Sequence, residues 1–184
     1  MKSLDKIVAD VSKKIRESSQ KLPPVEKWNP PLSGDIDIRI TREGTWLHEG
    51  DPIKRQGLIK VFSSILKREN GQYFLVTPVE KWHIQVDDAP FSVVSVDLLT
   101  QNDLQVLIFE TSVGDKVIAG PDNPLRVVTD ASGQPSPYLY IRNDMEGLLV
   151  RPVFYQLAEI AVLCPEKEKA VLGVYSLGEF FPLE

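Results

Sequence analysis

The sequence predicts an α+β protein of two related halves, each joining short antiparallel strands to one helix. Three observations carry this. Ile36, Ile38 and Ile40 alternate with Asp35, Asp37 and Arg39, the period of a half-buried strand. Leu58, Val61, Phe62, Ile65 and Leu66 recur at helical spacing and predict one apolar helix face. The same order then returns: Val61-Phe62 follows Trp46 by 15 residues, and Val153-Phe154 follows Tyr138 by 15.

Taken in chain order, Leu4, Ile7, Val8, Val11 and Ile15 predict an N-terminal helix with a narrow apolar stripe, suited to docking on the body or on a second subunit. Four prolines between Leu22 and Leu32 predict an extended linker, so residues 1–33 read as helix plus linker. Residues 34–98 form the first half. There Arg42-Glu43-Gly44 predicts a hairpin turn, and Asp51-Pro52 a capped helix start with Asn70-Gly71 as its stop. Strands follow near Tyr73–Val76, His83–Val86, Phe91–Leu98 and Leu104–Phe109, with Asn102-Asp103 turning between the last two.

Residues 99–184 form the second half. Lys116–Ile118, Leu125–Val128 and Tyr138–Arg142 read as strands, and Ser132-Gly133 as a turn. Asn143 predicts the cap of a helix through Leu148, Val153, Leu157 and Ile160, kinked or restarted at Pro152. Ala170–Tyr175 and Gly178–Leu183 complete a final hairpin. The pentapeptide Pro24-Val25-Glu26-Lys27-Trp28 recurs at Pro78–Trp82, out of step with the helices, and reads as coincidence.

Composition excludes several functions. Of 184 residues, 42% are hydrophobic and 26% charged, an ordinary globular balance. A net charge of −5 with mixed signs argues against DNA or RNA as a partner, yet leaves room for a local arginine cluster. Cys164 is the lone cysteine, so no internal disulfide forms, and it reads as buried and inert. No segment reads as a signal peptide or membrane span, which predicts a cytoplasmic protein without a membrane partner.

Candidate chemistry is sparse. Only His48 and His83 are present, so no histidine-rich metal site is expected, and both read as structural or surface groups. The carboxylates come as Asp35 with Asp37 and as Asp87 with Asp88; Asp35 and Asp37 share a strand face that could share a proton or a metal, but the alternating isoleucines make a solvated outer face the simpler reading. There is no nucleophile elbow, P-loop or dinucleotide fingerprint, so no catalytic residue and no cofactor is expected. Arginines stand out instead: Arg39, Arg55, Arg126, Arg142 and Arg151 lie in or beside regular elements, near Trp46, Tyr138, Tyr140 and Tyr155. A planar guanidinium on a rigid element, with aromatic neighbours, suits an anionic group carrying a ring. The competing reading is that these arginines cross-link the chain through its many carboxylates.

The run from Gly34 to Phe91, GDIDIRITREGTWLHEGDPIKRQGLIKVFSSILKRENGQYFLVTPVEKWHIQVDDAPF, closely resembles the bacterial family DUF 1285, a domain of unknown function. Val113–Val117, Asn123–Val127, Pro137–Arg142 and Leu148–Leu157 extend the resemblance over the second half. It implies a duplicated α+β fold whose C-terminal part superficially resembles pleckstrin-homology domains. It also implies a nucleotide-like ligand bound between the halves, in a signalling role. Arg55, Lys81, Arg126, Arg142 and Arg151 fall in the matching blocks and, with Tyr140, form the expected ligand set. Arg55 and Arg151 would grip the anion, while Arg142 and Tyr140 orient the rest. Asn123 stands where the family pattern leads one to expect histidine. The rival readings are a hydrolase of a phosphorylated small molecule and a protein-interaction module, and a homo-oligomer stays open.

Overall fold

In the computed structural model, the described residues are Lys13 and residues 21–101, 103–164 and 170–184. The expected N-terminal helix lies outside them. Of the described residues, 52% are in strands and 14% in helices, arranged as three sheets. The balanced α+β expectation is thereby corrected: the chain is mostly β. The described residues fall into two compact units, one reaching to Phe91 and including Arg142–Met145, the other comprising Ser92–Ile141 and Glu146–Glu184.

The first unit is built on a single six-stranded mixed sheet. Its strands are β1 (Leu32–Ile40), β2 (Trp46–His48), β3 (Asp51–Pro52), β4 (Leu66–Glu69), β5 (Gln72–Val76) and β6 (Lys81–Val86). They lie in the order β3-β2-β1-β6-β5-β4. β1 and β6 run parallel at the centre, while their outer neighbours pair antiparallel. The alternating isoleucines behave as their period requires, with Ile38 and Ile40 buried. The proline-rich linker is not simply extended, because Val25–Lys27 forms a 3-10 turn that buries Val25.

The single helix of this unit, α1 (Gln56–Ser64), is shorter than expected and starts later. Asp51-Pro52 does not cap it but forms β3, and Arg55 occupies the N-cap position without a side-chain cap. The helix ends where Ser63 and Ser64 donate back to the carbonyls of Lys60 and Val61. Leu66 then opens β4, and Asn70-Gly71 is the two-residue turn of the β4–β5 hairpin, with φ of 50° and 79°.

The second unit has a six-stranded sheet and a three-stranded one. The larger contains β7 (Phe91–Gln101), β8 (Leu104–Thr111), β9 (Lys116–Ile118), β10 (Leu125–Thr129), β11 (Pro135–Arg142) and β12 (Met145–Leu149), in the order β10-β11-β12-β7-β8-β9. The smaller contains β13 (Val162–Cys164), β14 (Val171–Ser176) and β15 (Glu179–Pro182). Besides these sheets, the described residues of this unit include one α-helix, α2 (Arg151–Ile160), and nothing in the arrangement bears out a pleckstrin-like second half. Asn143 does not cap α2. With Asp144 it turns β11 into β12, both residues at positive φ. Pro152 sits in the first turn of α2, where its missing N–H costs no helical bond.

The core of this unit is largely apolar, with Ser92, Thr111 and Ser176 buried in it as polar members. Val106, Leu107, Phe109, Leu139 and Leu157 are almost wholly buried. Ser176 is fully buried too, yet its hydroxyl accepts from Leu107 N–H and donates to the Ala119 carbonyl, at 3.0 and 2.7 Å. Both its hydrogen-bonding roles are thus filled. Gly173 is required, since a Cβ there would lie 2.4 Å from the Phe181 carbonyl oxygen. Cys164 is buried, as expected, at the end of β13.

Candidate functional site

Strand alternation sorts the first sheet into an apolar face and a charged one. Leu66, Leu75, Ile84 and Ile40 take one side, and Trp46 on that side stacks on Phe62 of α1 at 6.1 Å. The register aligns Lys67 with Phe74, Phe74 with His83, and His83 with Asp35 across four strands of the other. Glu69 and Lys81 share that face, two residues from Lys67 and His83 respectively.

These groups are tightly connected. Lys67 and Lys81 bring their ammonium groups to separate oxygens of Glu69, at 2.8 and 2.9 Å. Both lysine side chains are largely covered, at 11% and 17% exposure. Hydrogen bonds from Lys67 and then Lys81 hold the Glu69 carboxyl below the usual carboxylate range. Lys67 also donates to the Trp28 carbonyl and Asn29 Oδ1, at 2.8 and 2.9 Å. An ammonium has three N–H donors, and these acceptors use all of them. Lys67 is thus a fastener for the segment after the 3-10 turn. Lys81 differs. Its one hydrogen-bond acceptor among the described residues is Glu69, and its Nζ stands 5.1 Å from the Phe74 ring centroid.

His83, on the same strand as Lys81, also meets Phe74, ring centroids 5.5 Å apart. Its Nδ1 meets Asp35 Oδ1 at 2.8 Å. A carboxylate at Nδ1 favours the tautomer whose proton sits there, which leaves Nε2 as an acceptor. Lys81 and His83 therefore place an ammonium and an Asp35-oriented imidazole two residues apart on one strand.

The six residues expected to form the ligand set divide evenly between the units. In the first unit, Arg55 is exposed at the start of α1, and Lys81 lies in the charged row just described. Arg142 donates to the Ser63 carbonyl at 3.0 Å and lies 4.6 Å from the Phe91 ring centroid. In the second unit, Arg126 grips Glu146 with two bonds of 2.7 and 2.6 Å and stacks on Tyr138 at 4.5 Å. Tyr140 is half-buried on β11, and its carbonyl accepts from Asn123 Nδ2. Arg151 is exposed at the first position of α2.

Asp87 and Asp88 are engaged in ion pairs. Asp87 takes two bonds from Arg39, at 2.8 and 2.7 Å, a contact that raises the arginine pKa and lowers that of Asp87. Asp88 pairs with Arg42. Among the described residues no group of three or more His, Cys, Asp or Glu side chains is placed to hold a metal, and no helix is long and apolar enough to cross a membrane. Sequence reading missed Lys67, Glu69 and the His83–Asp35 pair as a site. The available signal was their alternation, Lys67 with Glu69 and Lys81 with His83, which puts each pair on one strand face.

Two family models together match residues 23–183: the N-terminal domain of DUF1285 over residues 23–89, and the C-terminal domain of the same family of unknown function over residues 90–183. The chain belongs to the DUF1285 family. A DUF1285 family protein from Silicibacter pomeroyi DSS-3, solved as a crystal structure, is 48% identical, with a TM-score of 0.81 over 92% of each chain. Another from Shewanella baltica OS155 is 28% identical, with a TM-score of 0.51 over 66% of this chain and 90% of its own. No curated protein matches the chain. The first family model contains the whole charged row from Asp35 to His83.

Proposed function

We propose that this DUF1285 protein binds a small anionic, nucleotide-like ligand in a regulatory role, with Lys81 and His83 as the primary contacts. The observation behind this is the pairing of Lys81, which is nearly covered yet spends one N–H on Glu69, with a histidine oriented by Asp35. A phosphate or carboxylate would take the remaining ammonium donors, strengthened by partial burial. A ligand hydroxyl would donate to His83 Nε2. Binding of this kind uses fixed groups on adjacent strand positions, so little ordering is needed.

The test is a thermal-shift series with nucleoside phosphates and phosphorylated sugars. A binder of the native state raises Tm with concentration. The expected result is a shift for wild type that Lys81→Ala abolishes, Lys81→Arg partly keeps and added salt weakens. Retention of the full shift by both Lys81→Ala and His83→Ala would remove these residues from the site. No shift with any compound would remove the ligand reading itself.

The His83–Asp35 pair favours a second reading, hydrolysis of a phosphorylated small molecule. A carboxylate-oriented imidazole is what a general base needs, and Lys81 beside it would stabilise charge on a phosphoryl oxygen. Phosphate release that disappears in His83→Asn would establish this reading over simple binding.

A further inference from the structure

Helix α1 leaves part of the apolar face that its sequence predicts turned outward. The buried positions are Ile59 and Ser63, one helical turn apart, while Leu58 and Val61 are 39% and 55% exposed. At 100° per residue Val61 lies nearly opposite the Ile59–Ser63 side, with Gly57 and Leu58 beside it. A Cβ on Gly57 would meet no atom within 4 Å, so the backbone there is open to close approach. The face therefore offers two large apolar side chains next to a bare stretch of backbone.

Charge around this face is one-sided. Lys54, Arg55 and Lys60 frame it, and residues 52–68 contain no Asp or Glu, in a chain whose net charge is −5. Local rules favour acids at a helix start, yet α1 has none in its first turn and no side-chain cap. An exposed apolar pair on a basic, uncapped helix is a departure that isolated stability does not explain.

We propose that the outward face of α1 is a docking surface for an acidic segment of another protein, carrying apolar residues about one helical turn apart and flanked by Asp or Glu. Charge complementarity selects this occupant. A two-fold contact with a second copy would set Lys54, Arg55 and Lys60 against their own equivalents. A lipid surface is disfavoured because two apolar side chains on a nine-residue helix bury little area in a bilayer. The partner's leucines would cover Leu58 and Val61 over Gly57, and its carboxylates would meet the basic rim.

The experiment is fluorescence anisotropy of the full chain against two labelled helical peptides with identical leucine spacing, one flanked by glutamates and the other by lysines. The acidic peptide is expected to bind at least about ten-fold more tightly, with affinity falling as salt rises. Leu58→Glu and Val61→Glu should each abolish binding while leaving Tm unchanged, since both side chains already face solvent. Lys81→Ala should leave peptide binding intact, which separates this surface from the proposed ligand site. Equal binding of the two peptides, binding of neither, or full binding by Val61→Glu would overturn the proposal. So would flotation with phosphatidylserine vesicles in the absence of peptide binding, or a dimer in sedimentation that Val61→Glu dissolves.

Discussion

The two helices are nearly equal in length and neither has a side-chain cap, with Arg55 at the N-cap of α1 and Arg151 at the first position of α2, yet they use their apolar residues oppositely. In α2 the inward pair is Val153 and Leu157, at 2% and 0% exposure. In α1 the inward pair, at the same spacing, is Ile59 and Ser63, while Val61 faces out. The equal 15-residue spacing from Trp46 to Val61 and from Tyr138 to Val153 thus joins an exposed valine to a buried one. Helix α2 is held by apolar burial. Helix α1 is held more by directed contacts, including the Trp46–Phe62 stack and the bond from Arg142 to the Ser63 carbonyl.

The largest expected effect follows directly. Leu157→Ala removes a fully buried side chain and leaves a cavity, so urea unfolding should show a loss of about 2–5 kcal/mol. Ile59→Ala on α1 should fall at or below the low end of that range, about 2 kcal/mol, because its partner across the turn is a serine. Equal losses would break the contrast between the helices.

Acid provides the next test, since the unit of α1 also carries the charged row. Glu69→Gln should cost about 1 kcal/mol by weakening two charge-assisted bonds, discounted for the partial exposure of the group. The sign of the pH effect follows from the shift. The folded-state pKa of Glu69 is depressed, so its contribution is fully present above the unfolded value of about 4.3 and is lost as pH falls through the lower folded one. Hydrogen exchange should therefore show β4–β6 losing protection before β7–β8 as pH is lowered, and Glu69→Gln should flatten that difference. A simultaneous loss in wild type would count against a charge-held first unit.

Removing the guanidinium of Arg142 should have a smaller effect. Arg142→Met keeps an apolar stem against Phe91 but deletes the bond to the Ser63 carbonyl, and about 1 kcal/mol should be lost. Exchange at the end of α1 should accelerate more than exchange in α2.

Much of this fold was legible because strand period is local. Ile38 and Ile40, Tyr73–Val76 and Tyr138–Arg142 fall where alternation and apolar runs put them. The misread segments share one cause. Asn70-Gly71 and Asn143-Asp144 are both two-residue hairpin turns with positive φ, but asparagine is equally at home at a helix stop or a helix cap. Met145–Leu149 and Leu66–Glu69 were absorbed into helices along with these turns, since segments of four or five residues carry no decisive period. Each such error extended a helix at the expense of a strand, which is how a mostly β chain came to read as α+β. The candidate site was illegible for a different reason. Lys67, Glu69, Lys81 and Asp35 meet only through strand pairing, and no sequence spacing announces which strands are neighbours.

The smallest expected effect bears most directly on why α1 faces as it does. Val61→Ala removes two methyl groups from a side chain that is already 55% exposed, so little burial is forfeited. Alanine is also the better helix former, and the β-branched side chain loses rotamer freedom in a helix. The two terms oppose, and the variant should lie within about 0.5 kcal/mol of wild type in urea unfolding. Had Val61 been inward as Val153 is, the same change would cost more than that. A loss of well over 1 kcal/mol would therefore place Val61 in a packed environment and erase the distinction between the helices. A neutral result would mean that nothing in the fold of the isolated chain requires an apolar side chain there, and that what holds valine at that position acts from outside it.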